Sequence, residues 1–145
     1  MNQTPFPPDE TALKTGIDQF NQGEYYACHD TLEAIWMAAS ISEKPFFQGI
    51  LQLAVALYHL GNHNWRGAAI LLGEGIRRLE PFEPSYRNVN VTALLDCADD
   101  WLAVLQEAGP EQITRLADAL AQTSQGNPGT GDMASLPRWE IQSDV

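Results

Sequence analysis

Apolar residues recur three and four apart along most of the chain, the period of helices that each bury one face. Six helical segments emerge from that period and its stop signals. Leu13, Ile17 and Phe20 form the stripe of the first, with Asp9 expected as its N-cap and Gly23 as its stop. The second covers about 24–39, and "SISEKP" then breaks the chain, with Ser42 expected to cap the third helix. That third helix, about 44–60, is apolar on most sides and so should be central. After the turn "GNHN", the fourth covers about 65–80 with Trp65, Ala68, Leu72, Ile76 and Leu79 on one stripe, stopped by Pro81 and Pro84. The fifth opens near Asn90 and carries Val91, Leu94, Leu95, Ala98, Trp101, Leu102 and Leu105. Gly109 and Pro110 separate it from a sixth with Ile113, Leu116, Ala117 and Leu120. No strand pattern is visible.

The expected fold is therefore all-α: one compact bundle of five to six helices, built from antiparallel helical hairpins, over residues 1–122. From residue 123 the composition turns to "TSQGNPGTGDMAS", so 123–145 reads as a flexible linker and Gly/Pro-rich C-terminal tail. Its Leu136, Trp139 and Ile141 can dock back on the bundle. Two hairpins also look alike at an offset of 40 residues: Tyr25 matches Trp65, Cys28 matches Ala68 and Leu32 matches Leu72. A tetratricopeptide repeat has a period of about 34, and two imperfect copies make no solenoid, so two similar hairpins in one bundle are expected.

A chain of 145 residues is the size of one domain, and its net charge of −11 argues against nucleic acid and anionic membrane as partners. Cys28 and Cys97 form no CxxC pair and suit a reducing compartment. "MNQTPFPPDE" shows no signal-peptide pattern, and "GILQLAVALYHL" is well short of the roughly 20 residues that span a bilayer. A soluble cytoplasmic protein is the expectation.

Candidate chemistry concentrates in "YYACHDTLEAIWMAA". His29, Glu33 and Trp36 lie at i, i+4 and i+7, hence on one helix face. The third helix carries a matching row of Gln48, Gln52, Val55 and His59. Antiparallel packing across a short loop would set His29 near His59, Glu33 near Gln52 and Val55, and Trp36 near Gln48. The default is a buried polar seam, with Glu33 accepting from His29 or Gln52 and the Trp36 indole donating to Gln48. The sharper alternative makes His29, Glu33 and His59 ligands of a divalent transition metal, or an acid–base set in a hydrolase-type site. No HExxH is present. Asp30 should face solvent. Arg66, in "NWRG", is a candidate contact for an anion or for Asp30 or Glu33. Arg77 and Arg78 complement the end of their helix dipole. Gly49, Gly67, Gly73 and Gly75 inside helices signal close backbone approach, or a pocket floor.

"FNQGEYYACHDTLEAIWMA", "FFQGILQLAVALYHLGNHNWRGAAILLGEGIRRL" and "EPSYRNVNVTALL" together resemble domain of unknown function 309, a family of small all-helical proteins, in its cyanobacterial and plastid-like variety. The resemblance runs over about residues 20–105 and implies an all-α bundle without naming an activity. Two function classes remain open: a non-catalytic module that binds an unknown protein or peptide partner and needs no cofactor, or a metal-dependent enzyme. A homo-oligomer is compatible with either.

Overall fold

The computed structural model describes residues 8–144, with the side chains of Pro8 and Asp9 outside the described set. Six helices succeed one another: α1 (Pro8–Asn21), α2 (Tyr25–Ala38), α3 (Lys44–Gly61), α4 (Trp65–Leu79), α5 (Val91–Ala108) and α6 (Ile113–Ser124). α1 and α2 form one hairpin, α3 and α4 a second, and α5 and α6 complete the bundle by packing on α4 and α3. Asp9 lies inside α1 rather than before it, and its side chain, the expected cap, lies outside the described residues. Gly23 takes φ +80°, which lets the chain leave α1 and enter α2 within three residues.

α3 is the central helix, as its apolar circumference predicts. Phe46, Phe47, Ile50, Leu53, Ala54, Ala56, Leu57 and Leu60 are all buried. Its start differs from expectation. Glu43, not Ser42, holds the N-cap position, and the Ser42 hydroxyl bonds to Ser40 instead. α4 and α5 are capped by asparagines: Asn64 Oδ1 accepts from Gly67 N and Asn90 Oδ1 from Ala93 N, both at 3.0 Å. The two hairpins bury equivalent residues. Cys28 and Leu32 on α2, like Ala68 and Leu72 on α4, are fully inside. Burial pushes the Cys28 and Cys97 thiols up to about 12, so both remain protonated core groups at neutral pH.

A small hairpin was not legible in the sequence. β1 (Ser85–Tyr86) pairs antiparallel with β2 (Val89–Asn90) through the two-residue turn Arg87–Asn88, whose φ values are +48° and +62°. The tail adds a bridge from Val89 to Ser143, and Asn90 N donates to Gln142 O at 2.9 Å.

The bundle does not end at residue 122. Thr123 is buried, its hydroxyl bonded back to Ala119 O and Leu120 O, and α6 runs on to Ser124. Beyond it the tail lies against the bundle. Met133, Leu136, Trp139 and Ile141 are buried. Trp101 Nε1 donates to Pro137 O at 2.8 Å, and Asn21 exchanges two hydrogen bonds with the Ile141 backbone, at 2.7 and 3.1 Å.

Candidate functional site: the face across α2, α3 and α4

The polar residues singled out in the sequence share a surface rather than a buried seam. The buried stripe of α2 is Tyr25, Cys28, Leu32 and Ile35. His29, Glu33 and Trp36 sit beside it, on the side toward α3, and are half-buried, exposed and half-buried. On α3, Gln48, Val55 and His59 are half-buried, while Gln52 alone of the row is buried. The cause is the position of α4. α2 and α4 flank α3 on opposite sides, leaving one stripe of α3 open between them. Polar groups on that stripe keep contact with water instead of carrying the cost of full burial.

The helix register keeps Trp36 level with Gln48 and Glu33 near Gln52 as expected, but does not set His29 beside His59. Tyr26 of α2 meets Tyr58 of α3 at a tilt of 53°, with ring centroids 5.3 Å apart. His29 lies 5.9 Å from Tyr26 on one side, and His59 lies 6.3 Å from Tyr58 on the other. The two histidines thus stand at opposite ends of a run of four rings, and no bond joins them. At the other end of α2, Lys44 covers the Trp36 ring at 4.6 Å and donates to Trp36 O at 2.7 Å.

His29 takes two carboxylate neighbours from its own helix: Nε2 lies 3.2 Å from Glu33 Oε2, and Nδ1 lies 3.2 Å from Asp30 Oδ1. Asp30 faces solvent as expected, yet still reaches the ring. His59 turns to the start of α4, where Asn64 Nδ2 donates to its Nδ1 at 3.3 Å. Gln52 reaches α4 rather than Glu33, donating to Glu74 Oε2 at 3.1 Å. The Trp36 indole does not bond to Gln48: Trp36 Nε1 and Gln52 Oε1 are buried without a protein partner. His29, Glu33 and His59 therefore do not converge, and among the described residues no group of three or more His, Cys, Asp or Glu side chains is placed to hold a metal ion.

The face has a second property that the sequence reading missed. Five large apolar side chains are exposed among the described residues: Tyr26, Met37, Ile41, Tyr58 and Ile70. All five lie on α2, α4, the outward side of α3 or the α2–α3 loop. Tyr26 and Ile70 fall off the buried stripes of their helices, which was the available signal. Arg66 is exposed and carries no hydrogen bond or ion pair among the described residues; the pairings expected with Asp30 and Glu33 are not made. Gly67 makes room for the Asn64 cap and the His59 ring, not for a pocket floor.

Clefts lie around the bundle among the described residues. One of about 600 Å³ separates α1 from the hairpin tip and the tail, with Lys14, Asp18, Arg87 and Gln142 in its wall. A second, about 570 Å³, opens between α2, α3 and α6 and includes Tyr26 and Tyr58. A third, about 450 Å³, is lined by Pro45, Glu74, Arg77, Arg78 and Pro81.

Beside the face, the hairpin turn clamps the start of α3. Arg87 binds the Glu43 carboxylate with both arms, Nε to Oε2 and a terminal nitrogen to Oε1, each at 2.7 Å, and the Tyr86 hydroxyl donates to Oε2 at 3.0 Å. This bidentate pair holds a non-glycine residue at positive φ. The Arg87 hydrogen bond, chiefly, lowers the Glu43 pKa below the ordinary carboxylate value. A depressed folded pKa stabilises above the unfolded value of about 4.3 and ceases to do so as pH falls through the folded one. Glu43→Gln should therefore cost about 1–2 kcal/mol at pH 7, discounted for partial exposure. The difference from wild type should shrink as pH drops below about 4.3 in urea titrations. A pH-independent difference would show that the pair does not supply it.

The geometry defines a class: an all-helical bundle of paired hairpins with a polar and aromatic face. Residues 13–71 match a family described as domain of unknown function (DUF309). The uncharacterized protein YpuF of Bacillus subtilis (strain 168) is 40% identical over 58 residues, 39% of this chain and 33% of that protein. The chain thus spans about a third of that relative's length. No solved structure matches. The matched segment contains His29, Glu33, Trp36, Gln48, Gln52, His59 and Arg66. Glu74, Arg77, Arg78, the hairpin and the tail lie beyond it. Among the described residues, no helix is long and apolar enough to cross a membrane.

Proposed function

We propose that the chain is a non-catalytic, cytoplasmic docking module whose α2–α3–α4 face holds the surface of a protein partner. The observation that carries this reading is the grouping of all five exposed large apolar side chains around one polar, aromatic stripe. An apolar centre with charged margins is the anatomy of a protein interface. The dispersal of His29 and His59 to opposite ends of the run of four rings favours this reading over a metal-assisted hydrolase. His29, braced by Asp30 and Glu33, then serves as an oriented polar contact within the interface.

Photo-crosslinking in the protein's own cells tests it. A photoreactive residue at Tyr58 or Ile70 should give one adduct of defined mass, and one at Lys14 or Arg115 should not. Adding Ile70→Glu should reduce the Tyr58 adduct at least about fivefold. Equal labelling at all four positions, or none at the face, would sink the docking reading.

A further inference from the structure

The chain has eight Lys and Arg residues, and all eight are described. Five of them have partners. Lys14 pairs with Asp18, Lys44 with the Trp36 carbonyl, Arg87 with Glu43, Arg115 with Asp132 and Arg138 with Asn21 O. The three without a hydrogen bond or ion pair among the described residues are Arg66, Arg77 and Arg78, all on α4. Arg77 and Arg78 sit in the last turn, where the helix dipole welcomes them. Arg66 sits in the first turn, where it does not. In a chain of net charge −11, one margin of the face is therefore cationic. The opposite margin, on α2, carries exposed Asp30 and Glu33.

Resting on the docking reading, we infer that the occupant of this face is a second copy of the chain, related by a twofold axis running along α3. Rotation about that axis lays α2 of one copy over α4 of the other, and α3 over α3. Acidic margin meets cationic margin twice, and Tyr58, Val55 and Leu51 meet their own counterparts at the centre. A twofold interface requires such self-complementarity. A twofold axis across the helices would instead set α4 on α4 and oppose like charges.

The contacts within one copy fix which residues come level. Tyr26 stands beside Tyr58, His59 beside Gly67, and Gln52 beside Glu74. Glu33 is thereby level with Gly75, within about 3 Å along the axis of Arg77. Glu74 stays engaged with Gln52 and leaves the arginines to the partner.

Sedimentation equilibrium of the purified full chain tests the inference. The expected mass is about twice 16.0 kDa at roughly 100 µM. Glu33→Arg and Arg77→Glu should each weaken association about tenfold, and the double variant should recover most of that loss. Ile70→Glu should give monomers that keep the helical circular dichroism of wild type. A wild-type chain that remains monomeric, or a double variant no better than the singles, overturns the second copy as occupant. The docking reading then stands or falls separately, on whether the Tyr58 crosslink joins a different protein.

Discussion

Trp139→Ala should lower the stability of the folded chain by about 3–5 kcal/mol, the range for removing a large buried aromatic side chain. Trp139 is 2% exposed and sits where the tail closes the bundle. Its ring meets Phe20 edge-on at 6.0 Å and lies 6.1 Å from Trp101. Neighbouring side-chain-to-backbone bonds depend on this anchor: Trp101 Nε1 to Pro137 O, the Arg138 guanidinium to Asn21 O, and Ile141 N to Asn21 Oδ1. The variant should therefore lose amide-exchange protection at Ile141 and Asn90 as well as global stability. Trp139→Phe provides the control. Trp139 Nε1 has no hydrogen-bond partner among the described residues, so phenylalanine forfeits volume but none of those bonds and should cost about half as much. A loss below about 1 kcal/mol for the alanine variant would mean that the tail is not part of the core.

The helices were legible because each carries a sustained amphipathic period, and the tail's anchors because Leu136, Trp139 and Ile141 are too apolar for a wholly solvated segment. The candidate site was legible in its membership and not in its arrangement. Helix periodicity places His29, Glu33 and Trp36 on one side of α2, but not on which flank α4 arrives, and that decides whether their side is core or surface. Counting residues outward from the α2–α3 loop gives each pair's level along the helices, but not the side of the helix on which each polar group finds its partner. The observed contact of Tyr26 with Tyr58 keeps Trp36 level with Gln48 and Glu33 near Gln52, but leaves His59 about one helical turn beyond His29. The hairpin escaped notice because strands of two residues show no alternation, and its Arg87–Asn88 turn lacks the usual glycine. The Glu43–Arg87 pair joins residues 44 apart, a separation that no local pattern reports.

The same substitution at two helical glycines should move stability in opposite directions, because propensity and packing separate there. Every glycine in a helix interior loses about 1 kcal/mol against alanine through backbone entropy. At Gly73 a methyl group meets nothing within 4 Å, so Gly73→Ala should stabilise by about 0.5–1 kcal/mol. At Gly49 the added carbon would lie 2.6 Å from Leu79 Cγ and 2.8 Å from Leu79 Cδ2. Cγ is a branch point of a fully buried side chain, so α3 and α4 must separate to admit the methyl. That strain outweighs the gain in propensity, and Gly49→Ala should destabilise by about 1–3 kcal/mol. Gly75 meets Leu53 and the Gly49 carbonyl from the other side of the same contact, so its alanine variant should behave like that of Gly49. Urea midpoints of the three variants decide the matter. Stabilisation at Gly49 would mean that the two helices do not touch there. Because α3 and α4 carry the floor and one margin of the proposed docking face, loosening their contact should also weaken the association proposed there. Gly49→Ala therefore links the packing of the second hairpin to the face that the chain presents.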